Sequence, residues 1–137
     1  MDEIYDLKEM ALMGMRKLVL EALDELKFQR EWLACEQQKL LTAEHSLSAK
    51  KEYVKQVEEK IMANFEPTGR NADERKRELL RAFQKSTELT EAKQDMWGQE
   101  EVVLMQRKIV EERKAKVRNA YDTWQTYMAL LNMKEEV

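Results

Sequence analysis

The sequence predicts an all-α protein: a long antiparallel two-helix hairpin of coiled-coil type, assembling into a four-helix bundle or a higher oligomer. Three observations predict it. Charged residues make up 37% of the chain, with only three glycines and one proline, a composition typical of long helices. Apolar residues recur every seventh position along almost the whole length. The one strong break, Phe65-Glu66-Pro67-Thr68-Gly69-Arg70-Asn71, falls near the middle.

The first helix is predicted over 3–64. Tyr5, Leu12, Val19, Leu26, Leu33, Leu40, Leu47, Val54 and Ile61 form one heptad column, all apolar; such a column is a continuous buried seam. The turn is predicted over 65–71. Pro67 disfavours helix before it, and Gly69 is expected to supply a positive φ. Asn71 with Glu74 reads as a capping box, and Asp73 and Glu74 favour the positive end of a helix dipole. The second helix follows over 72–134, with a column of Ala82, Leu89, Met96, Val103, Val110, Val117, Trp124 and Leu131. The domain organisation is one hairpin over 1–137.

Reversal at Thr68 brings together residues whose numbers add to 136. Tyr5 then faces Leu131, Leu12 faces Trp124, Leu33 faces Val103 and Val54 faces Ala82. A second seam column pairs Val57 with Leu79 near the turn and Met15 with Tyr121 near the termini. Between these it pairs Gln29 with Arg107, Glu36 with Glu100, and Lys50 with Ser86. This polar middle, with Gly98 inside the second helix, predicts a loose or bent waist, because a helical glycine costs about 1 kcal/mol against alanine. Met10, Met13, Leu20, Leu23, Phe28, Leu104, Met105 and Met128 lie off the seam, which predicts a homo-oligomer that covers them.

Chemistry is poorly provided for. His45 is the only histidine and Cys35 the only cysteine, both predicted on the outer face. No Glu-x-x-His pair and no phosphate-cradling glycine loop occurs. Glu36 opposite Glu100 is the one carboxylate pair worth weighing as a cation site, and it reads better as solvated side chains at a thin layer. The expectation is therefore no enzyme, no catalytic residue, no metal and no cofactor. Asp2, Glu3 and Asp6 read against a secretion signal, and no apolar run reaches the ~20 residues of a membrane span. No membrane association and a cytoplasmic location are expected.

Two sets of residues are candidates for binding. Lys50, Lys51 and Lys55, level in this register with Arg81 and Lys85 and followed by Arg75, Lys76 and Arg77, can track a phosphate backbone; interleaved acids also fit a solvated, salt-bridged face. Trp97 and Gly98 at the waist are candidate contacts for a protein partner, together with Met13, Leu20, Met105 and Met128. Trp124 and Trp32 are expected in the core.

The turn Gly69-Arg70-Asn71-Ala72-Asp73-Glu74-Arg75-Lys76-Arg77 resembles a Gly-x-Asn-Ala-x-Glu-Arg-Lys turn of small helical proteins from bacteriophages and prophages, whose functions are generally unassigned. The resemblance implies a phage accessory protein in the host cytoplasm, linked to DNA recombination or replication, with no active site to transfer. The expected function is a non-enzymatic structural or protein-interaction module. The alternatives are a nucleic-acid-binding protein using its basic faces and an inhibitor of a host defence enzyme.

Overall fold

The computed structural model of the protein describes residues 2–136; the expected Tyr5 contact lies outside the described side chains. Among the described residues there are three α-helices and no strand: α1 (Asp2–Ala63), α2 (Ala72–Lys85) and α3 (Thr87–Glu136), with α1 and α3 packed against each other. The all-α expectation holds. The two-helix expectation does not, because the second helix is interrupted at Ser86.

Packing divides the chain into two compact units, 39–107 and 1–38 with 108–137. In the first of these, Val54, Val57, Leu89 and Ala92 form a buried cluster against which Ile61, Phe83 and Met96 pack. Each well-buried side chain of this kind contributes about 1.5–3 kcal/mol. Around it α1 and α3 run antiparallel, as their cross-contacts show. Tyr53 donates to Glu88 Oε1 (3.1 Å), Lys50 pairs with Asp95 (3.1 Å), Gln99 Nε2 donates to the Ala43 carbonyl (3.1 Å), and Arg107 reaches Glu44 (3.5 Å). The bond to Glu88, reinforced by that carboxylate's charge, raises the Tyr53 phenol above its usual pKa.

These contacts correct the register. Val54 packs with Leu89 and Ala92 and not with Ala82, a shift of one heptad. The cause is α2. The reversal uses residues 64–71 together with a separate helix, which packs its Phe83 on the Val54–Leu89 cluster before α3 begins at Thr87. The 3–4 spacing of buried positions moves accordingly. On α1 it runs Val19, Ala22, Leu26, Gln29, all buried; on α3 it runs Leu89 and Ala92, buried, then Met96 and Gln99, half-buried, to buried Val103. The second column on α3 is thus Ala92 and Gln99, the latter one position before the expected Glu100. The Lys50–Ser86 pairing fails, and the Glu36–Glu100 pairing loses the register on which it rested.

The turn is built by α2's own acids. Asn71 Oδ1 accepts from the Glu74 N–H (2.9 Å), and Glu74 Oε2 accepts from the Arg70 N–H (2.8 Å), one residue before the cap. Glu78, a turn further on, accepts from both the N–H and the hydroxyl of Thr68 (2.9 and 3.0 Å). These bonds, a further one from the Gly69 backbone and the nearby Arg81 charge outweigh partial desolvation and hold the Glu78 carboxyl below its usual pKa. No glycine has a positive φ, so Gly69 serves a different purpose from the one expected. A Cβ there would lie 2.8 Å from Glu74 Cβ and 3.0 Å from the Arg75 nitrogen. Only a residue without one lets the turn lie this close to the start of α2.

Ser86 ends one helix and starts the next. Its N–H reaches the Phe83 carbonyl, while its hydroxyl accepts from the Leu89 N–H (3.1 Å), as an N-cap does. α3 is continuous through Gly98, where the sequence predicts a loose or bent waist.

In the unit of 1–38 and 108–137, α1 and α3 are again antiparallel. Arg16 pairs with Glu135 (3.4 Å), and the Arg113 guanidinium lies 3.1 Å over the Trp32 ring. Val19, Ala22, Leu26, Val110 and Leu131 are buried there. So are Gln29 and Glu36; both are partnered, Gln29 through its amide nitrogen to Glu25 (2.8 Å).

Candidate functional site

In the unit of 1–38 and 108–137, apolar side chains collect on the side of α1 away from the buried positions. Buried Val19, Ala22 and Leu26 fix one face, so Met10, Met13 and Leu20 project from the opposite one. Each is more than 60% exposed. Leu12 and Ala11 of α1, with Leu130 and Met133 of α3, line an apolar groove of about 430 Å³ flanked by Lys8 and Lys134. Beyond it, Phe28 meets Trp32 edge-to-face at 5.6 Å, with the Arg113 cation on the Trp32 ring. A cation over tryptophan contributes about 0.5–1 kcal/mol where solvent reaches it, and Trp32 is 38% exposed. Trp32 was expected in the core; one position before half-buried Leu33 and off the spacing of buried Gln29 and Glu36, it stands at the surface.

In the interior of this unit Gln29 Oε1, Arg113 Nη1 and Trp124 Nε1 are buried without a hydrogen-bond partner among the protein atoms. Tyr121 packs against Trp124 at 6.0 Å, but its hydroxyl is engaged by Gln125 (2.8 Å).

The remaining partner candidates divide. Met105 is 66% exposed and Trp97 53%; Gly98 is exposed, and a Cβ there would meet nothing within 4 Å. Met128 is half-buried, beside Trp124 in a shallow groove. Sequence reasoning missed exposed Leu7, Val102 and Met133. Their positions outside the 3–4 seam spacing are the signal that finds them.

The basic candidates also divide. Lys50 is tied to Asp95, and Lys51 and Lys55 flank Tyr53 and Val54, level with the start of α3. They are not level with Arg81 and Lys85, which lie on α2 in company with Arg75, Lys76 and Arg77. His45 and Cys35 are exposed. Among the described residues, no group of three or more His, Cys, Asp and Glu side chains gathers as metal ligands do. No helix among them is long and apolar enough to cross a membrane.

Fold and surface together define an all-α protein in which paired helices leave broad apolar surface uncovered. Comparison of the chain with protein-family models, with curated proteins and with solved structures finds no match.

Proposed function

We propose that the chain is a non-enzymatic protein-interaction module, a phage-type accessory protein of the host cytoplasm, that acts by covering apolar surface, its own first. The observation that carries this reading is the uncovered set Met10, Met13 and Leu20 beside the groove of Leu12, Leu130 and Met133. Isolated exposed apolar residues need no explanation, but contiguous ones mark interaction surfaces. Methionine suits such a surface because its flexible, polarisable side chain adapts to the partner. Two copies meeting through this surface place four helices around one core. The phage assignment, and with it the link to DNA recombination or replication, rests on the Gly69–Arg77 turn. The Gly69 and Asn71 geometry gives that motif a structural reason to persist.

The test is sedimentation or light scattering across a concentration series. A mass above 16.4 kDa that falls on dilution is expected, and Met13→Glu with Leu20→Glu should lower it while leaving helix content largely intact. A monomer mass at all concentrations overturns self-association. The protein-binding reading then falls too if pull-down from a phage-infected host recovers the same proteins with wild type and with the double variant.

A further inference from the structure

The interruption at Ser86 isolates a helix with a surface of its own, distinct from the apolar one. α2 runs 14 residues, capped by Asn71 and Ser86. Its apolar side faces the protein: Phe83 packs on the Val54–Leu89 cluster, Ala82 is half-buried, and Leu79 borders Phe65 and Pro67. Arg77, Arg81 and Lys85 are spaced i, i+4, i+8 and therefore share one face, roughly opposite Leu79 and Phe83. All three are exposed. Among the described residues none of the three makes an ion pair, although Arg81 lies near enough to Glu78 to help depress its pKa.

Two of the three acids that would ordinarily neutralise such a face are held elsewhere. Glu74 is bonded to the Arg70 N–H and Glu78 to Thr68 through both oxygens, so their carboxylates bend back toward the turn. Between residues 70 and 85 there are six Lys and Arg against three Asp and Glu, within a chain of net charge −3. The basic excess is local, which a general attraction to anions would not require. Successive cations four residues apart rise about 6 Å along the helix, comparable with the separation of neighbouring phosphates on one strand. Arginine adds planar, bidentate phosphate recognition.

We infer that the outer face of α2 binds the sugar-phosphate backbone of a nucleic acid, through Arg77, Arg81 and Lys85, without reading its sequence. A membrane surface fits less well. A basic amphipathic helix binds lipid by inserting its apolar side, and here Leu79, Ala82 and Phe83 are half-buried against the protein, leaving Leu80 as the one exposed large apolar side chain of the helix. An acidic helix could present carboxylates at the same spacing, and the poly-glutamate arm of the experiment separates that occupant from a nucleic acid.

The experiment is fluorescence anisotropy of the full chain with labelled oligothymidylate and with a labelled duplex, across a salt series. Poly-glutamate and anionic phosphatidylserine vesicles serve as controls. Wild type is expected to bind at least one oligonucleotide at low salt, with affinity falling as salt rises. The triple variant Arg77→Gln, Arg81→Gln, Lys85→Gln should weaken binding by about tenfold or more, and flatten the log–log salt slope by about 2 for single strands or about 3 for duplex. Because these side chains are exposed and unpaired, the circular dichroism of the variant should match wild type. If the variant misfolds, the single change Arg81→Gln gives the same test with about one-third of the slope change. The inference is overturned if neither oligonucleotide binds at low salt, or if variant and wild type share one slope. It is also overturned if poly-glutamate or vesicles bind as tightly as nucleic acid with the same dependence on the three residues.

Discussion

Alanine at each of the three glycines should change stability with opposite signs, and the structure sets the magnitudes. Gly14 and Gly98 lie inside continuous helices, and a Cβ added at either meets nothing within 4 Å. Alanine there removes the glycine helix penalty, so each variant should gain about 0.8–1 kcal/mol, raising Tm by about 3–5 °C for a chain of this size. At Gly69 the new Cβ would sit 2.8 Å from Glu74 Cβ, 3.0 Å from the Arg75 nitrogen and 3.1 Å from the Glu74 carbonyl carbon. Two of those atoms are backbone of the first turn of α2 and cannot swing aside. The turn must lift by several tenths of an ångström, at an overpacking cost of about 1–3 kcal/mol. Lifting also loosens the Arg70–Glu74 and Asn71–Glu74 bonds, and losing a cap costs about 0.5–2 kcal/mol. Gly69→Ala should therefore lose about 2–4 kcal/mol in all. Urea and thermal unfolding followed by circular dichroism, at one fixed protein concentration because association shifts the midpoint, measure all three. Gly69→Ala as stable as wild type would refute the close-approach argument. Gly98→Ala as damaging as Gly69→Ala would show that residue 98 is packed against something.

Leu89→Ala empties the centre of the Val54–Val57–Ala92 cluster and should cost about 2–5 kcal/mol in urea unfolding; Leu104→Ala, at a site 56% exposed, should stay within about 0.5 kcal/mol of wild type. Glu78 has a depressed folded pKa, so its stabilising contribution is full above the unfolded carboxylate range and is lost as pH falls through the folded value. The stability gap between wild type and Glu78→Gln should accordingly be constant near neutral pH and narrow below about pH 4.5; a gap independent of pH would mean that Glu78 acts only by its shape. In a Cys35→Ser background, Val54→Cys with Leu89→Cys should form an intrachain disulfide, whereas Val54→Cys with Ala82→Cys should not. The reverse result would restore the register in which paired residue numbers add to 136.

Much of the α2 surface was legible in the sequence, because Arg77, Arg81 and Lys85 already stand at helical spacing. Two facts about it were not. The first is that Glu74 and Glu78 are committed to the turn, since a side chain's choice between backbone and solvent depends on where the loop lies. The second is that Lys50, Lys51 and Lys55 belong elsewhere, which follows from the register. The exposure of Met10, Met13 and Leu20 could be read from their place outside the heptad columns. The stacking of Arg113 on Trp32 could not, because it joins residues of two helices.

The sequence by itself determined the helical class, the reversal at 65–71 and the apolar column of α1, for these depend on local propensity, capping and a period shared by neighbours along one helix. It also carried the start of α2, where Asn71, Asp73 and Glu74 act within a single turn. The break at Ser86 was hidden, because Ala82 and Leu89 continue one heptad column across it, and Ser86-Thr87-Glu88 is a weak capping signal beside that column. Only the tertiary structure decided the pairing. A heptad pattern fixes which face is buried, but it repeats every seven residues and so leaves partners one heptad apart nearly equivalent. What selects among them is the length of the connection. Inserting α2 between the turn and α3 lets Phe83 and Leu89 reach Val54 and Val57 together, and that shared burial sets the register of α1 and α3 around this cluster.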